Sequence, residues 1–206
     1  MRCSESSLNF HGNRKAHPNM RKVLPTMILA AFSIDATAQQ MIWQNDICPD
    51  WTFTDINGVE HNLYSYLDAG YTVFFDVSAT WCPPCWDIHE SHVLDSLYLN
   101  YGPGTSANNV MVFLLEGDDS TDLSDLAGTG DQTLGDWITG TPYPIIDNAG
   151  SILDLLHFNS FPFVWSVCPN RYIGPGSSST MGEMASTAQY CQDYSLADSP
   201  NDAALL

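Results

Sequence analysis

Apolar positions along this chain follow two rhythms. Tyr71–Val77, Val110–Leu115, Tyr143–Asp147 and Phe163–Val167 are short β-branched and aromatic runs, the mark of strands, and the unbroken run at 110–115 predicts a strand covered on both faces. Pro144 sends the third run to a sheet edge. Trp86, Val93, Leu94, Leu97, Tyr98 and Tyr101 lie instead on one helical face, predicting a single helix from Trp86 to Tyr101 that Gly102 ends. Strands interleaved with helices predict an α/β domain with a central mixed sheet.

Smaller signals fill in the rest. Trp51–Thr54 alternates, Asn57-Gly58 is a strong hairpin turn, and Val59–His61 returns, so an N-terminal β-hairpin is expected. Asn62 can cap a short helix, Leu63–Ala69, stopped by Gly70. Ser151–Phe158 reads as a short helix. Thr180 and Glu183 have capping-box spacing ahead of a last helix that runs to about Gln192. Between Gly117 and Gly140 the chain is rich in Gly, Asp and Thr, with short helical turns expected at Asp122–Leu126 and Leu134–Ile138. Pro169-Asn170 turns the last strand into Arg171–Ile173.

Charge changes this picture at the N-terminus. Five of the six Lys and Arg residues precede residue 23. Met20-Arg21-Lys22, the apolar Val23–Ile34 and Ala36-Thr37-Ala38 together have the form of a secretory signal that starts at Met20 and is cleaved before Gln39. Residues 1–38 are therefore set aside, 39–192 form the domain, and 193–206 a polar acidic tail. After cleavage, 22 acidic residues face Arg171 alone, a formal charge of -21. Such a surface repels nucleic acid and anionic membranes. The expected location is the periplasm or the extracellular space, and no stretch approaches the ~20 apolar residues of a membrane span.

Export also governs the cysteines, since disulfides persist outside the cytoplasm. Cys48, Cys82, Cys85, Cys168 and Cys191 remain after cleavage. Cys168 and Cys191 flank one C-terminal segment and are the expected structural pair, although spacing alone leaves other pairings open.

The chemistry concentrates in Ser78-Ala79-Thr80-Trp81-Cys82-Pro83-Pro84-Cys85, between a strand and a helix. A thiol at a helix N-terminus has its thiolate stabilised by free N–H groups and the macrodipole, which makes Cys82 the candidate nucleophile. Cys85, one turn on, can resolve a mixed disulfide. Asp76 is an acid within an apolar strand; burial would raise its pKa toward a proton-transfer role for Cys85.

Phe74–Val77 followed by Trp81-Cys82-Pro83-Pro84-Cys85 resembles the strand, buried acid and Cys-x-Pro-Cys site of the thioredoxin superfamily. Cys48–Phe53 and the long segment between the strands at 110 and 163 resemble its exported TlpA-like, or redoxin, branch. The resemblance implies a thioredoxin fold over about residues 47–190 and thiol-disulfide exchange on protein substrates without a bound cofactor. It also implies a membrane or periplasmic electron-transfer partner. Pro162 matches the family's cis-proline, Phe161 the residue whose backbone meets an extended substrate, and Trp81 a further part of the contact surface.

Three departures stand out. Glu90 occupies the position of a helix-kinking Pro, which predicts a straighter helix with a carboxylate nearby. Asp76 matches thioredoxins themselves rather than many TlpA-like proteins. Pro83-Pro84 removes two N–H groups from the first helical turn, and with the acidic field this predicts a Cys82 pKa near the free value and a reducing couple.

Other readings compete. A structural bridge or half a zinc site at Cys82 and Cys85 is disfavoured by export and the lack of a second Cys-x-x-Cys. His89 and His92 follow Cys85 at copper-site distances, but thioredoxin-fold copper chaperones space their cysteines differently, so surface or groove histidines are expected. Asp118, Asp119, Asp122 and Asp125 fit no EF-hand spacing and read as a solvated acidic loop rather than a calcium site. A peroxidase would need a different cysteine motif. The rival of another class is a redox-inactive thioredoxin-like binding module of a larger secreted protein.

Overall fold

A computed structural model of the chain describes residues 42, 44–175 and 180–193. The expected signal segment and the tail beyond Asp193 lie outside the described residues. No helix among the described residues is long and apolar enough to cross a membrane.

The chain enters through a hairpin of β1 (Thr52–Thr54) and β2 (Glu60–Asn62), antiparallel with Thr54 opposite Glu60. Asp55 Oδ1 accepts the backbone N–H groups of Asn57 and Val59, each at 2.9 Å. Gly58 takes the positive φ that the turn requires. Asn62 caps α1 (Leu63–Asp68), its side-chain oxygen accepting the Ser65 N–H at 2.8 Å. This helix buries Leu63 and Leu67, and Gly70 at φ 89° turns the chain into the central sheet.

That sheet combines β3 (Thr72–Ser78), β4 (Val110–Glu116), β5 (Ile145–Ile146) and β6 (Phe163–Val167) in the order β5-β4-β3-β6. β4 runs parallel to both β3 and β5, and β6 runs antiparallel to β3. Every residue of β3 and β4 is buried, because both faces are covered.

Alternation divides the two faces. Val73, Phe75, Val77, Met111, Phe113 and Leu115 pack with Trp51, Leu63 and Leu67, and with Ile152 and Leu156 of α5 (Ser151–Leu156). Phe74, Val110, Val112 and Leu114 belong to a second cluster. It includes residues of α2 (Pro83–Glu90), α3 (Val93–Tyr101), the short α4 (Leu123–Leu126) and α6 (Met181–Asp193). Each large buried side chain in these clusters contributes about 1.5–3 kcal/mol by leaving water. The same period of two puts Asp76, Ser78 and Glu116 on the second face, the face of Cys82 and Cys85.

Three expectations need correction. The helix predicted over Trp86–Tyr101 is two helices, broken at Ser91 and His92, where His92 takes a left-handed φ of 52°. Ser91 Oγ donates to the Ile88 carbonyl at 2.6 Å, and His92 Nδ1 pairs with Asp95 Oδ2 at 2.7 Å. The break turns Val93, Leu94 and Leu97 onto the core without a proline, so the straighter helix inferred from Glu90 does not form. Leu134–Ile138 is not helical: Asp136 bridges Ala127, and its carboxylate accepts the N–H groups of Ile138 and Thr139, an Asx turn in place of a helical one. The edge strand is only Ile145–Ile146.

Candidate active site

β3 ends at Ser78, and three residues carry the chain to Cys82, the N-cap of α2. The Cys82 N–H donates to the Ala79 carbonyl at 3.0 Å, and the Trp86 N–H donates to the Cys82 carbonyl at 3.0 Å. Pro83 and Pro84 occupy the first turn, where an N–H has no intrahelical partner to lose. Cys82 and Cys85 are joined as a disulfide, with Cα atoms 5.3 Å apart and both residues buried.

Asp76 lies on the strand beneath. It pairs with Leu114 on one side and Val164 on the other, and both neighbours belong to the cluster that contains the two cysteines. Burial pushes its carboxyl up to about 7, against a smaller lowering by the Ser78 hydroxyl, which donates at 3.0 Å. A carboxyl poised near neutrality can both take and give a proton.

Trp81 is 44% exposed. Its indole N–H donates to Asp118 Oδ2 at 2.7 Å, and its ring meets Phe161 edge to face at 6.3 Å. The Phe161–Pro162 peptide bond is cis, and Phe163 then opens β6 opposite Val77. Trp81, Phe161 and the bond to Pro162 therefore lie at the same end of the sheet as Cys82. Gly117 makes the packing possible, since a Cβ there would approach Phe161 Cε1 to 2.7 Å and Val77 Cγ1 to 3.0 Å.

Cys168 and Cys191 are joined far from this site. Cys168 follows Val167, which pairs with Val73 near the start of β3, so the bridge ties α6 to the opposite end of the sheet. Cys48 is a free, buried thiol, pushed up to about 12 by burial and then by Asp50. Such burial disfavours the thiolate, the form in which a cysteine acts as nucleophile.

His92 lies at the surface as expected, whereas His89 departs from expectation. His89 is buried between Trp86 and Trp137, with ring centroids 5.2 and 4.8 Å away; burial lowers its pKa, so the neutral ring suits this aromatic slot. His92 is spent on Asp95 at the helix break. Among the described residues, no group of three or more His, Cys, Asp or Glu side chains could hold a metal ion. The acidic residues after β4 serve local structure. Asp119 accepts the Gly150 N–H, Asp122 caps α4, and Asp125 accepts the Gln132 N–H.

Sequence reasoning missed Glu116. It is a second buried carboxyl on the cysteine face, pushed up to about 7 chiefly by burial. An acid closing an apolar run, as Asp76 interrupts one, was the available signal.

No protein-family model matches the chain, and a search of curated proteins finds no match. Solved structures do match. A protein proposed as the thiol:disulfide interchange protein DsbE of Chlorobium tepidum aligns at TM-score 0.53 and 16% identity, over 73% of this chain and 99% of its own. The thioredoxin domain of a thiol-disulfide oxidoreductase from Bacteroides vulgatus aligns at TM-score 0.53 and 14% identity, over 70% and 97%. BsSco, a member of the Sco family of cytochrome c oxidase assembly proteins, aligns at TM-score 0.53 and 13% identity, over 76% and 99%. At such identities the likeness is one of architecture, and with the mixed sheet, flanking helices and N-terminal hairpin it establishes that this chain has the thioredoxin fold.

Proposed function

We propose that this chain is an exported thiol-disulfide oxidoreductase of the TlpA-like type, exchanging disulfides with protein substrates through Cys82 and Cys85. The observation that carries the reading is the Cys82–Cys85 disulfide at the head of α2, with the buried Asp76 carboxyl on the same face of the sheet.

In the reducing direction, the Cys82 thiolate attacks a substrate disulfide. A Cys82–substrate S–S bond forms, the substrate S–S bond breaks, and one substrate sulfur leaves as thiolate. Cys85 gives its proton to the Asp76 carboxylate and attacks Cys82 Sγ. The mixed disulfide breaks, the Cys82–Cys85 bond forms, and the second substrate sulfur departs; two electrons have passed to the substrate. The oxidising direction reverses each step, with the substrate dithiol as electron donor.

Trp81 and Phe161 border this exchange with aromatic surface, and the backbone at Phe161 and Pro162 receives an extended substrate. Substrates are protein thiols and disulfides, and a membrane or periplasmic electron carrier resets the cysteine pair. Within residues 1–38 the segment from Met20 acts as the export signal, with 39–192 as the catalytic domain and 193–206 as an acidic tail.

Trapping tests the assignment of roles. In Cys85→Ser, Cys82 still attacks but nothing resolves the product. Incubated with oxidised protein substrate, this variant accumulates a covalent adduct that dithiothreitol releases and Cys82→Ser does not form. Equal adduct yields in the two variants would remove Cys82 as nucleophile.

A further inference from the structure

Glu116 closes β4 and is 2% exposed, at a position where no part of the exchange chemistry calls for an acid. Its Oε1 accepts the Asp118 N–H at 3.0 Å and the Thr121 hydroxyl at 2.9 Å. The Thr80 backbone also faces its carboxylate and favours the ionised form. These groups bracket Trp81. Thr80 is the residue before it in the chain, and Asp118 is the acceptor of its indole N–H. Thr121 secures the second of these by also donating to the Asp118 carbonyl at 2.8 Å. Glu116 thus binds the side-chain clamp of Trp81 and faces its backbone approach at once. Ser78, its partner on β3, donates to Asp76, so the frame adjoins the proton-transfer acid without including it.

We propose that Glu116 is the positioning residue for Trp81: its carboxylate holds the exposed indole as a fixed edge of the substrate contact surface beside Cys82, and its protonation loosens that edge. This rests on the reading of Cys82 and Cys85 as an exchange site. An ionised carboxylate offers about four lone-pair sites and suits all three groups; the acid form loses one site and adds a donor where donors already converge. The charged group acting on Glu116 from its own loop is Asp118. β3 presents Asp76 on the same face, and Ala79–Trp81 brings no charge. On the α5 side the Ala149 N–H donates to the Glu116 carbonyl, with Asp119 and Asp147 on the loops beyond. Among the described residues, no basic group acts on it to hold it ionised. The carboxyl at about 7 places the change within the range a neutral compartment spans.

The test uses the mature chain labelled with 5-fluorotryptophan, the Trp81 resonance being assigned through Trp81→Phe. In a titration from pH about 5 to about 9, the Trp81 fluorine signal moves with a midpoint near 7. The movement disappears in Glu116→Gln, whose amide stays uncharged throughout, and persists in Asp76→Asn. Thr121→Val, which removes a donor to the carboxylate, moves the midpoint upward and serves if the Gln variant does not fold. A flat wild-type titration, a response that survives in Glu116→Gln or is lost only in Asp76→Asn, or an unmoved midpoint in Thr121→Val overturns the proposal. The readout is independent of turnover: an inactive chain with the Trp81 response would refute exchange alone, and an active chain without it would refute the positioning role alone.

Discussion

Ser78 Oγ donates a hydrogen bond to Asp76 Oδ1 at 3.0 Å on the buried cysteine face of β3. That single contact does not offset the burial that raises the Asp76 carboxyl from 3.8 to about 7. Below 3.8 the folded and unfolded chains are both protonated at this group. As pH rises toward 7 the unfolded chain loses its proton first, so stability falls through this window and levels above it. A shift of this size corresponds to a loss on the order of 4 kcal/mol.

Asp76→Asn therefore raises the melting temperature at pH 8 while changing it little at pH 4, and slows exchange by about 10²-fold if Asp76 relays the proton. Thermal unfolding across pH, beside insulin reduction, checks both. A variant equally destabilised at the two pH values would mean that Asp76 is ionised in the folded protein.

The bridge between Cys168 and Cys191 spans 23 residues, and a loop of that length restricts the unfolded chain by about 3 kcal/mol. The double variant Cys168→Ala/Cys191→Ala is expected to lose about that much stability in denaturant titration while keeping its exchange rate, because the bridge sits at the far end of the sheet. Loss of exchange in a folded double variant would implicate this pair in the redox path.

Gly117 gives a sharper test of the contact surface. A methyl group there meets the Phe161 ring and Val77, and overpacking of this kind costs about 1–3 kcal/mol. Phe161 is the element free to yield, so Gly117→Ala should raise KM for protein disulfides while kcat holds. A fall in kcat at constant KM would contradict the assignment of Phe161 to substrate contact.

What the sequence revealed and what it concealed follow from distance along the chain. The redox string, the hairpin at Asn57-Gly58 and the Asn62 cap are local, each set by residues within a few positions of one another, and all are legible. Trp81's partner Asp118 stands 37 residues away, in a Gly-, Asp- and Thr-rich stretch whose pattern offers only short turns and no sign of a contact to Trp81. There, side-chain carboxylates replace helical carbonyls as acceptors of backbone N–H groups, which defeated the helical reading of Leu134–Ile138. The break at His92 carries no Pro or Gly; it is fixed by the Ser91 and Asp95 hydrogen bonds and by burial of Val93, Leu94 and Leu97. Glu116 was passed over because an acid at the end of an apolar run reads as the start of a loop.

Reduction of insulin disulfides by the mature domain, with dithiothreitol as electron source, tests the central claim most directly. The account predicts that the wild-type chain accelerates reduction and that Cys82→Ser abolishes the acceleration. Equal rates for the two would contradict it, leaving the Cys82–Cys85 disulfide a structural bridge in a binding module.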